Sequence, residues 1–395
     1  MKYNYYIIKR KIENIFIFPF IVTGSVIAKF KPLKKSYKIY FFFPFYHTGG
    51  AEKVHALIAQ VAGNEDCIIF FTKKSTDSAF LKDFEKSNCV IKNISCYTDN
   101  KWLYCLNFIY RGIITGYINH ETQAPILFNG QCNFAYKISP WIKNNFKQVE
   151  LIHSFNSFSW IRIPFIPFIH QTIMISKVRI ENHLRQYKKL GVPEKFNENI
   201  TYISNGIYLP TLTSKKDCTA NLNILYVGRG TPEKRVYLVA EIAKNIQEKF
   251  ERISFTLAGD VANAIPESLK QYCNLKGNIT DENELAKLYK AAHILLITSD
   301  TEGFPVVVME AMAYGCAIIA TPVGDLPVHI KNSTNGFILS GFNNEKLVVD
   351  EMYNFIVQLN NNRDLLATIS EQNMLYAKNN FDIEVFKKQY ISILQ

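Results

Sequence analysis

The chain has 395 residues, of which 48% are hydrophobic and 20% are charged, with 18 Gly and 14 Pro. These proportions indicate a globular protein of two or three domains and exclude disorder, collagen-like repeats and a polytopic membrane protein. The net charge of +11 is concentrated in residues 1–40, which hold nine Lys/Arg against one acid, Glu13. Because the rest of the chain is nearly neutral, this charge does not indicate a nucleic-acid partner.

The N-terminal segment combines its basic residues with an apolar run, Ile15–Ala28. Its fourteen residues are fewer than the roughly 20 that span a bilayer as a helix, and Pro19 and Gly24 weaken a helix further. Residues 1–37 are therefore open to three interpretations: an interfacial anchor on an anionic membrane surface, an uncleaved leader, or an extension outside the fold. The first and third are favoured, because no clear small-x-small cleavage site follows the run.

From Lys38 onward, short apolar runs alternate with helix-length amphipathic segments. Apolar runs of strand length are typical of parallel strands buried on both faces, so the alternation predicts βαβ units. The predicted strands are Lys38–Phe43, Cys67–Phe71, Ile126–Asn129, Gln148–His153, Thr172–Ile175, Thr201–Ile203, Asn223–Val227, Ser254–Leu257, Ile294–Thr298 and Ala317–Thr321. The predicted helices include Ala51–Val61, Tyr237–Phe250, Asn283–Ala292 and a C-terminal helical stretch, Leu365–Leu394.

This strand–turn–helix pattern starts twice, at Phe41–Val61 and again at Leu225–Ala240. Two such starts predict two doubly wound domains with a join near Asn205–Asp217. The eight Cys are scattered and form neither a C-x-x-C motif nor a zinc spacing, so the sequence predicts reduced thiols and no metal site.

The most informative motif lies in residues 297–324. A helix is predicted from Pro305 to about Tyr314, and its free N–H groups would form an anion site at the carboxyl end of a strand. Glu302 and Glu310 have E-x7-E spacing, so both carboxylates could face the hydroxyl groups of one elongated ligand. A helix-start acid and a solvated acid are the alternative interpretation, with equal weight.

A second motif, VGRGTPEKR at 227–235, places Arg229 and Lys234 in the turn after a predicted strand. An Arg fork and a Lys point charge suit phosphate oxygens. The Walker Lys-Ser/Thr ending and a full G-x-G-x-x-G are both missing, which disfavours ATP-binding P-loops and nicotinamide folds. An ordinary basic turn remains the alternative.

Two further candidates follow predicted strands in the N-terminal half. Gly49 and Gly50 would let a phosphate or sugar approach the backbone at the start of a helix, although a plain tight turn is equally compatible. His153 ends the run ELIHSF, where its ring could donate a hydrogen bond to a substrate hydroxyl; a structural histidine is the alternative.

Taken together, these motifs resemble those of retaining family-4 glycosyltransferases of the GT-B fold, over about Lys38–Gln395. The resemblance is strongest at EGFPVVVMEAMAYGCAIIATPVGDLP, residues 302–327. It is supported by GGAEK at 49–53, SNGI at 204–207, VGRGTPEKR at 227–235 and LAGD at 257–260. Two positions depart from the family: Tyr208 replaces a frequent acid, and Pro305 stands where several members have Gly.

The resemblance implies an α/β protein with two Rossmann-like doubly wound domains facing across a cleft that holds a sugar nucleotide. The expected division is an N-terminal extension at 1–37, an acceptor-side domain at 38–205 and a nucleotide-sugar domain at 206–375. A C-terminal helix at 376–395 is expected to cross back to the first domain.

The same resemblance assigns roles to individual residues. Glu310 matches the glutamate on the ribose hydroxyls and Glu302 the one at the donor sugar, while Arg229 and Lys234 match the pyrophosphate-binding pair. The expected catalytic residues are Glu302, His153, Arg229 and Lys234, and the expected donor-binding residues are Gly49, Gly50, Arg229, Lys234, Glu302, Gly303, Phe304, Val306 and Glu310.

The function that the resemblance implies is transfer of a hexose, with retained configuration, from a nucleotide diphosphate sugar to a glycan or lipid-linked acceptor. A UDP-sugar is favoured over GDP-mannose, the setting is bacterial surface polysaccharide or lipopolysaccharide synthesis, and neither metal nor cofactor is expected. The expected location is the cytoplasm, at the inner face of the plasma membrane. The alternatives are a nucleotide-sugar epimerase of the same fold and a non-catalytic glycan-binding protein.

Overall fold

The computed structural model describes residues 2–100, 102, 104–211, 216–219 and 221–394. The chain divides into two compact units. Unit 1 consists of Met1–Ile203 and Lys387–Gln395, and unit 2 consists of Ser204–Phe386. Each unit is a parallel sheet with helices, which is the arrangement expected for strands joined by helical crossovers.

Within the described residues, unit 1 contains a seven-stranded parallel sheet in the order β3-β2-β1-β4-β5-β6-β7. The strands are β1 Ile39–Phe43, β2 Cys67–Phe71, β3 Val90–Asn93, β4 Ile126–Gly130, β5 Gln148–Ile152, β6 Gln171–Met174 and β7 Ile200–Tyr202. The α-helices are α1 Lys2–Phe30, α2 Gly50–Ala62, α3 Leu81–Glu85, α4 Ser95–Thr98, α5 Tyr104–Asn119, α6 Asn133–Ile138, α7 Phe158–Ile161 and α8 Lys177–Leu190. Short 3-10 helices lie between these elements at Ser139–Trp141, Ile163–Phe168 and Glu194–Phe196.

The described part of unit 2 contains a six-stranded parallel sheet in the order β10-β9-β8-β11-β12-β13. Its strands are β8 Leu222–Val227, β9 Ile253–Ala258, β10 Asn274–Gly277, β11 Ile294–Ile297, β12 Ala317–Ala320 and β13 Gly336–Ile338. Its helices are α9 Val236–Gln247, α10 Glu267–Lys270, α11 Glu282–Ala291, α12 Val306–Ala313, α13 Leu326–His329, α14 Glu345–Asn361 and α15 Arg363–Phe381, followed by α16 Ile383–Leu394, which ends in unit 1.

All ten predicted strands are present, to within one or two residues at their ends. Strands β1, β2 and β5 are buried along their whole length, so each reads as an unbroken apolar run. The sequence analysis missed β3, β10 and β13. The first two are edge strands with mostly exposed or half-buried residues, and β13 has three residues, so none produces an apolar run of strand length.

The N-terminal segment forms one long helix, α1, so the interpretation of residues 2–30 as an extension outside the fold is wrong. Helix α1 packs lengthwise on α5, where a Cβ at Gly24 would lie 2.1 Å from the Ile109 carbonyl oxygen. A Cβ at Gly112 of α5 would likewise lie 2.4 Å from the Ile21 carbonyl oxygen. Gly24, expected to weaken the helix, is therefore the residue that permits close helix packing.

The first turns of α1 pack against the 3-10 helix at Ile163–Phe168. Arg10 is buried there, donates to the Pro164 carbonyl oxygen and lies over the Phe168 ring at 4.6 Å from its centroid. By length and composition, α1 is the one helix in the described part of the chain that is long and apolar enough to cross a bilayer.

A buried ion pair lies inside unit 1, between β5 and the residue that precedes the same 3-10 helix. Glu150 and Arg162 are both fully buried and joined through Arg162 Nη2. Tyr136 donates to Glu150 at 2.6 Å, and so does Thr172 at 2.6 Å. These neighbours satisfy the remaining acceptor positions of the carboxylate, as a buried charge requires.

The C-terminal stretch forms two helices, because helical structure is interrupted at Asp382 between α15 and α16. Asp382 bridges to Ile207 in unit 2, and a Cβ at Gly206 would lie 2.6 Å from Phe386 Cβ. From Lys387 onward the residues belong to unit 1, where Lys147 donates to the Ile393 carbonyl oxygen at 2.6 Å. The seven cysteines whose thiols the structure describes are all free, as expected from their scatter.

Candidate active site

The topology of unit 2 places its switch point between β8 and β11, the central strands from which the chain winds outward in opposite directions. In open α/β sheets, ligands bind outside the carboxyl ends of the strands at such a point. The loops that follow these two strands are residues 228–235 and 298–305, which contain five of the predicted site residues.

The first loop is held close to the loop after β9. Gly230 donates its N–H to the Asp260 carbonyl oxygen at 2.9 Å. Gly259 has a φ of +125°, and a Cβ there would lie 1.9 Å from the Gly228 carbonyl oxygen. The motifs VGRG and LAGD are thus two halves of one backbone contact that excludes larger residues.

Lys234 and Glu302 bring the two switch-point loops together. Lys234 Nζ lies 2.5 Å from Glu302 Oε1, and the Ser299 hydroxyl donates to the same oxygen at 2.7 Å. The side chains are 20% and 10% exposed, respectively. A partly buried, charge-assisted contact of this kind orients both groups.

Arg235 fixes the backbone beneath this pair. Its φ is +47°, and its buried guanidinium donates to the carbonyl oxygens of Thr298 at 2.8 Å and Phe342 at 2.6 Å. The Thr298 hydroxyl in turn donates to the Lys234 carbonyl oxygen at 2.8 Å. This positioning role could not be predicted from the sequence, because a third basic residue in the motif carries no signal of burial.

Arg229 occupies a different environment from Lys234. Its side chain is 76% exposed, and its Nη2 lies 3.8 Å from Glu233 Oε1. Hydrogen bonds from the Thr231 hydroxyl and from backbone N–H lower the pKa of Glu233. Arg229 is therefore paired with Glu233, whereas the other cation of the expected pair, Lys234, contacts Glu302.

Helix α12 begins at Val306, one residue later than predicted, with Pro305 in an extended conformation at its N-cap. Gly315, with a φ of +72°, follows the C-cap residue Tyr314. The loop before the helix is held by Asp325, whose N–H donates to the Gly303 carbonyl oxygen at 2.8 Å. A Cβ at Gly303 would meet no atom within 4 Å, so the approach to the loop is open.

The Phe304 ring is directed into the core rather than toward this opening. It is buried and stacks on His329, with 4.1 Å between ring centroids. Any contact of Phe304 with a ligand would therefore come from its backbone. The ring serves to seat the loop that carries Glu302.

Glu310 lies half-buried on α12, where it has a partner that the sequence analysis missed. The Tyr289 hydroxyl, at the end of α11, donates to Glu310 Oε2 at 2.9 Å. Burial raises the pKa of Tyr289 well above its ordinary value, and the Glu310 charge raises it further. Tyr289 therefore stays a neutral donor that orients the carboxylate.

Unit 1 has the same switch-point topology, between β1 and β4. Gly49 is the N-cap of α2 with an extended φ of −179°, and a Cβ at Gly50 would meet no atom within 4 Å. Thr48 donates its N–H to Asp77 Oδ1 at 3.0 Å, which ties down the loop. Gly50 thus leaves open space in front of the α2 N-terminus, whereas a Cβ at Gly49 would lie 2.1 Å from Glu52 Oε2. A helix N-terminus can attract an anion.

His153 follows β5 and pairs with His55 of α2, a second residue that sequence reasoning missed. The two Nε2 atoms are 2.8 Å apart, so one ring donates the hydrogen bond and the other accepts it. Burial lowers the pKa of His153 to about 4. Burial and the neighbouring His153 lower the pKa of His55 well below its ordinary value, so both rings are neutral near pH 7.

Comparison with known proteins agrees with this architecture. The family model described as "Glycosyl transferases group 1" matches residues 218–358, which lie in unit 2. The solved structure of Anabaena HepE in complex with UDP covers 90% of this chain and 99% of its own, with a TM-score of 0.71 and 17% identity. HepE has also been solved with UDP-glucose. The fold of this protein is GT-B, with two Rossmann-like domains.

Two further similarities are to proteins that are named as glycosyltransferases. The lipopolysaccharide outer core galactosyltransferase WaaB, in its apo form, covers 90% of this chain and 98% of its own, with a TM-score of 0.65 and 17% identity. An uncharacterized glycosyltransferase of Methanocaldococcus jannaschii is 26% identical over 194 residues, or 49% of this chain. That alignment spans 53% of the relative, so the chain covers about half of its length.

The neutral histidine pair predicts a loss of stability in mild acid. In the unfolded chain a His binds a proton below about pH 6.5, whereas folded His153 binds one only near pH 4. The free energy of unfolding therefore falls as the pH is lowered through this interval, by up to about 1.4 kcal/mol per pH unit. We expect His153→Asn to be less stable at pH 7 but to show a shallower fall in urea-unfolding free energy from pH 6.5 to 4. The exposed His120→Asn is the control and should keep the wild-type slope; an unchanged slope in His153→Asn would contradict the assignment.

Proposed function

We propose that this protein is a glycosyltransferase that moves a hexose from a nucleotide diphosphate sugar to an acceptor hydroxyl with retention of configuration. The observation that carries the proposal is the Lys234–Glu302 pair at the switch point of unit 2, which joins the loop after β8 to the loop that leads into α12. A cation and a helix N-terminus suit a diphosphate, and a carboxylate suits sugar hydroxyls.

In the proposed reaction, the diphosphate leaves the anomeric carbon and negative charge grows on its oxygens. The Lys234 ammonium and the free N–H groups at Val306 would stabilise that charge, and Arg229 would join them by reorienting its exposed side chain. Preorganised groups of this kind supply much of the rate enhancement in many enzymes. The acceptor hydroxyl attacks the carbon, and the leaving phosphate takes the hydroxyl proton.

Glu302 and Glu310 divide the recognition of the donor. Glu302, held by Lys234 and Ser299, would bind hydroxyls of the transferred sugar. Glu310, held by Tyr289, would bind the ribose hydroxyls. The E-x7-E spacing places the two carboxylates on one loop and helix, so a single extended ligand can meet both.

Unit 1 has candidate ligand-binding groups of its own in Gly50 and His153. The space in front of α2 would accept a phosphate oxygen, and His153 would contact a hydroxyl through Nδ1, because Nε2 is used by His55. A neutral ring suits this role, since it does not change charge near pH 7.

We favour a UDP-sugar as donor and a glycan or lipid-linked acceptor of bacterial surface polysaccharide or lipopolysaccharide synthesis. The support is that HepE holds UDP and UDP-glucose, and that WaaB is named a lipopolysaccharide galactosyltransferase. The reaction would take place in the cytoplasm at the inner face of the plasma membrane.

The role of Lys234 is tested by Lys234→Met, with the exposed Lys276→Met of unit 2 as control. We expect the first variant to lose about 2–4 kcal/mol of transition-state stabilisation, seen as a fall in kcat/KM for sugar transfer. Thermal unfolding of both variants checks that the fold is retained. A Lys234→Met variant with the kcat/KM of the wild type would refute a diphosphate at this position. Isomerisation of the donor in the absence of an acceptor would show that the protein is an epimerase and not a transferase.

The role of Glu310 is tested by pairing Glu310→Ala with a 2′-deoxyribose donor. Loss of a hydrogen bond to a charged group costs about 1.5–3 kcal/mol, so the variant should show a donor KM raised by tenfold or more. The wild type should discriminate against the deoxy donor, and Glu310→Ala should not. The exposed Glu284→Ala is the control, and continued discrimination by Glu310→Ala would contradict the ribose assignment.

Protein cations are proposed to replace a divalent metal at the diphosphate. Excess EDTA is therefore expected to leave the transfer rate unchanged, with EDTA presaturated with Ca²⁺ as the control for ionic effects. Activity that is abolished by EDTA and restored by Mg²⁺ would overturn this part of the proposal.

A further inference from the structure

We propose that the outer face of α1, together with the cavity beside it, docks on an anionic phospholipid bilayer with the helix lying in the membrane plane. This inference does not rest on the proposed function, because membrane binding is measured without donor or acceptor. Four observations support it: an exposed apolar face, the charges that border it, the fixation of the opposite face, and a cationic cavity at its side.

Helix α1 is apolar on two opposite faces. One face packs into unit 1 through residues that include Tyr3, Ile21 and Ala28. The other is exposed, with Phe16 at 72% and Phe30 at 80%. At 3.6 residues per turn, its large apolar residues fall within an arc of about 180°; they are Tyr5, Ile8, Ile12, Ile15, Phe16, Phe18, Val22, Val26, Ile27 and Phe30.

Charge borders this face at both ends. Residues 14–28 contain no charged side chain. Exposed lysines precede the segment at Lys9 and Lys11 and follow it at Lys29 and Lys31. Lys side chains extend from an apolar surface to phosphate headgroups, and each one near an anionic surface contributes about 1 kcal/mol of binding. The charge pattern therefore complements an anionic bilayer rather than the apolar face of another helix.

The opposite face of α1 is fixed, which favours an in-plane helix over a spanning one. Gly24 packs against the backbone of α5, and buried Arg10 donates to the Pro164 carbonyl oxygen. A spanning helix would have to leave both contacts and take the Arg10 charge into hydrocarbon, where a charged side chain is costly. Docking by the outer face keeps every one of these contacts.

A cavity of about 340 Å³ opens beside the first turns of α1. Its lining includes Lys9, Arg10 and Lys137, with one acid, Glu13. Two of its residues have buried polar atoms with no hydrogen-bond partner in the described structure, Arg10 Nε and Asn133 Oδ1. Arg10 is 7% exposed, so the fold holds its positive charge in the wall of the cavity. An excess of cations with an unsatisfied donor suits a phosphate, and its position beside the apolar face indicates a lipid headgroup.

The apolar contribution is tested by flotation of the full chain with vesicles of phosphatidylcholine, alone or mixed with phosphatidylglycerol. We expect flotation with the mixed vesicles and a partition coefficient about tenfold or more lower for Ile12→Ser/Phe16→Ser. Leu375→Ser, an exposed apolar residue of unit 2, is the control and should float as wild type. Equal flotation of the double variant, or a dimer in solution that the double variant abolishes, would overturn the proposal.

The cationic cavity is tested by Lys9→Glu/Lys137→Glu, with Lys195→Glu/Lys276→Glu as a control of equal charge change. The first variant should lose the preference for phosphatidylglycerol, and the control should keep it. Inorganic phosphate, added at matched ionic strength, distinguishes the two sources of phosphate. Flotation unchanged by phosphate supports a lipid headgroup; phosphate binding without vesicles, lost in the first variant alone, would make the cavity a soluble anion site and overturn the lipid assignment.

The orientation is tested by spin labels at Ile8→Cys, Ile15→Cys and Val26→Cys on vesicle-bound protein. Cys96 and Cys273 are replaced by Ser, and the signal of this parent chain is subtracted. An in-plane helix predicts three similar, shallow immersion depths. A label at position 15 that lies much deeper than those at 8 and 26 would show a spanning helix and refute in-plane docking.

Discussion

The ion pair between Lys234 and Glu302 is the contact on which the candidate site depends. It joins the loop after β8 to the loop after β11, and both side chains are mostly buried. Removal of one partner from a buried pair leaves an uncompensated charge, so each residue depends on the other for its position. Arg235 and Thr298 fix the backbone below the pair, so the charge that a ligand would meet is set before the ligand arrives.

The two units share the same switch-point topology but have different chemical groups beside it. In each, the central strands are mostly buried, and the candidate site residues lie in the loops and helices that follow the strands. Unit 2 places a charged pair there, whereas unit 1 places two neutral rings, His55 and His153, that share one hydrogen bond. Burial accounts for the contrast, since an imidazole can lose its charge in an apolar environment and a matched ammonium–carboxylate pair can keep both charges.

The sequence predicted the buried strands and the loops that follow them, because both depend on neighbours in the chain. It could not predict contacts between distant residues: Tyr289 lies 21 positions from Glu310, and His55 lies 98 positions from His153. The length of α1 was also underestimated. The continuous apolar run lies between Glu13 and Lys29, whereas apolar residues at helical spacing continue beyond these two charges. The site of Arg229 shows the opposite limit, since a motif fixes the residue but not the direction of its side chain.

The buried pair of Glu150 and Arg162 has a consequence for the sequences that this fold can adopt. Neither residue can be replaced alone without stranding the other in an apolar interior, whereas joint replacement by apolar residues of similar volume is often neutral or stabilising. Homologous chains should therefore carry both residues or neither, and single replacements should be rare. The two positions would therefore covary among homologous sequences.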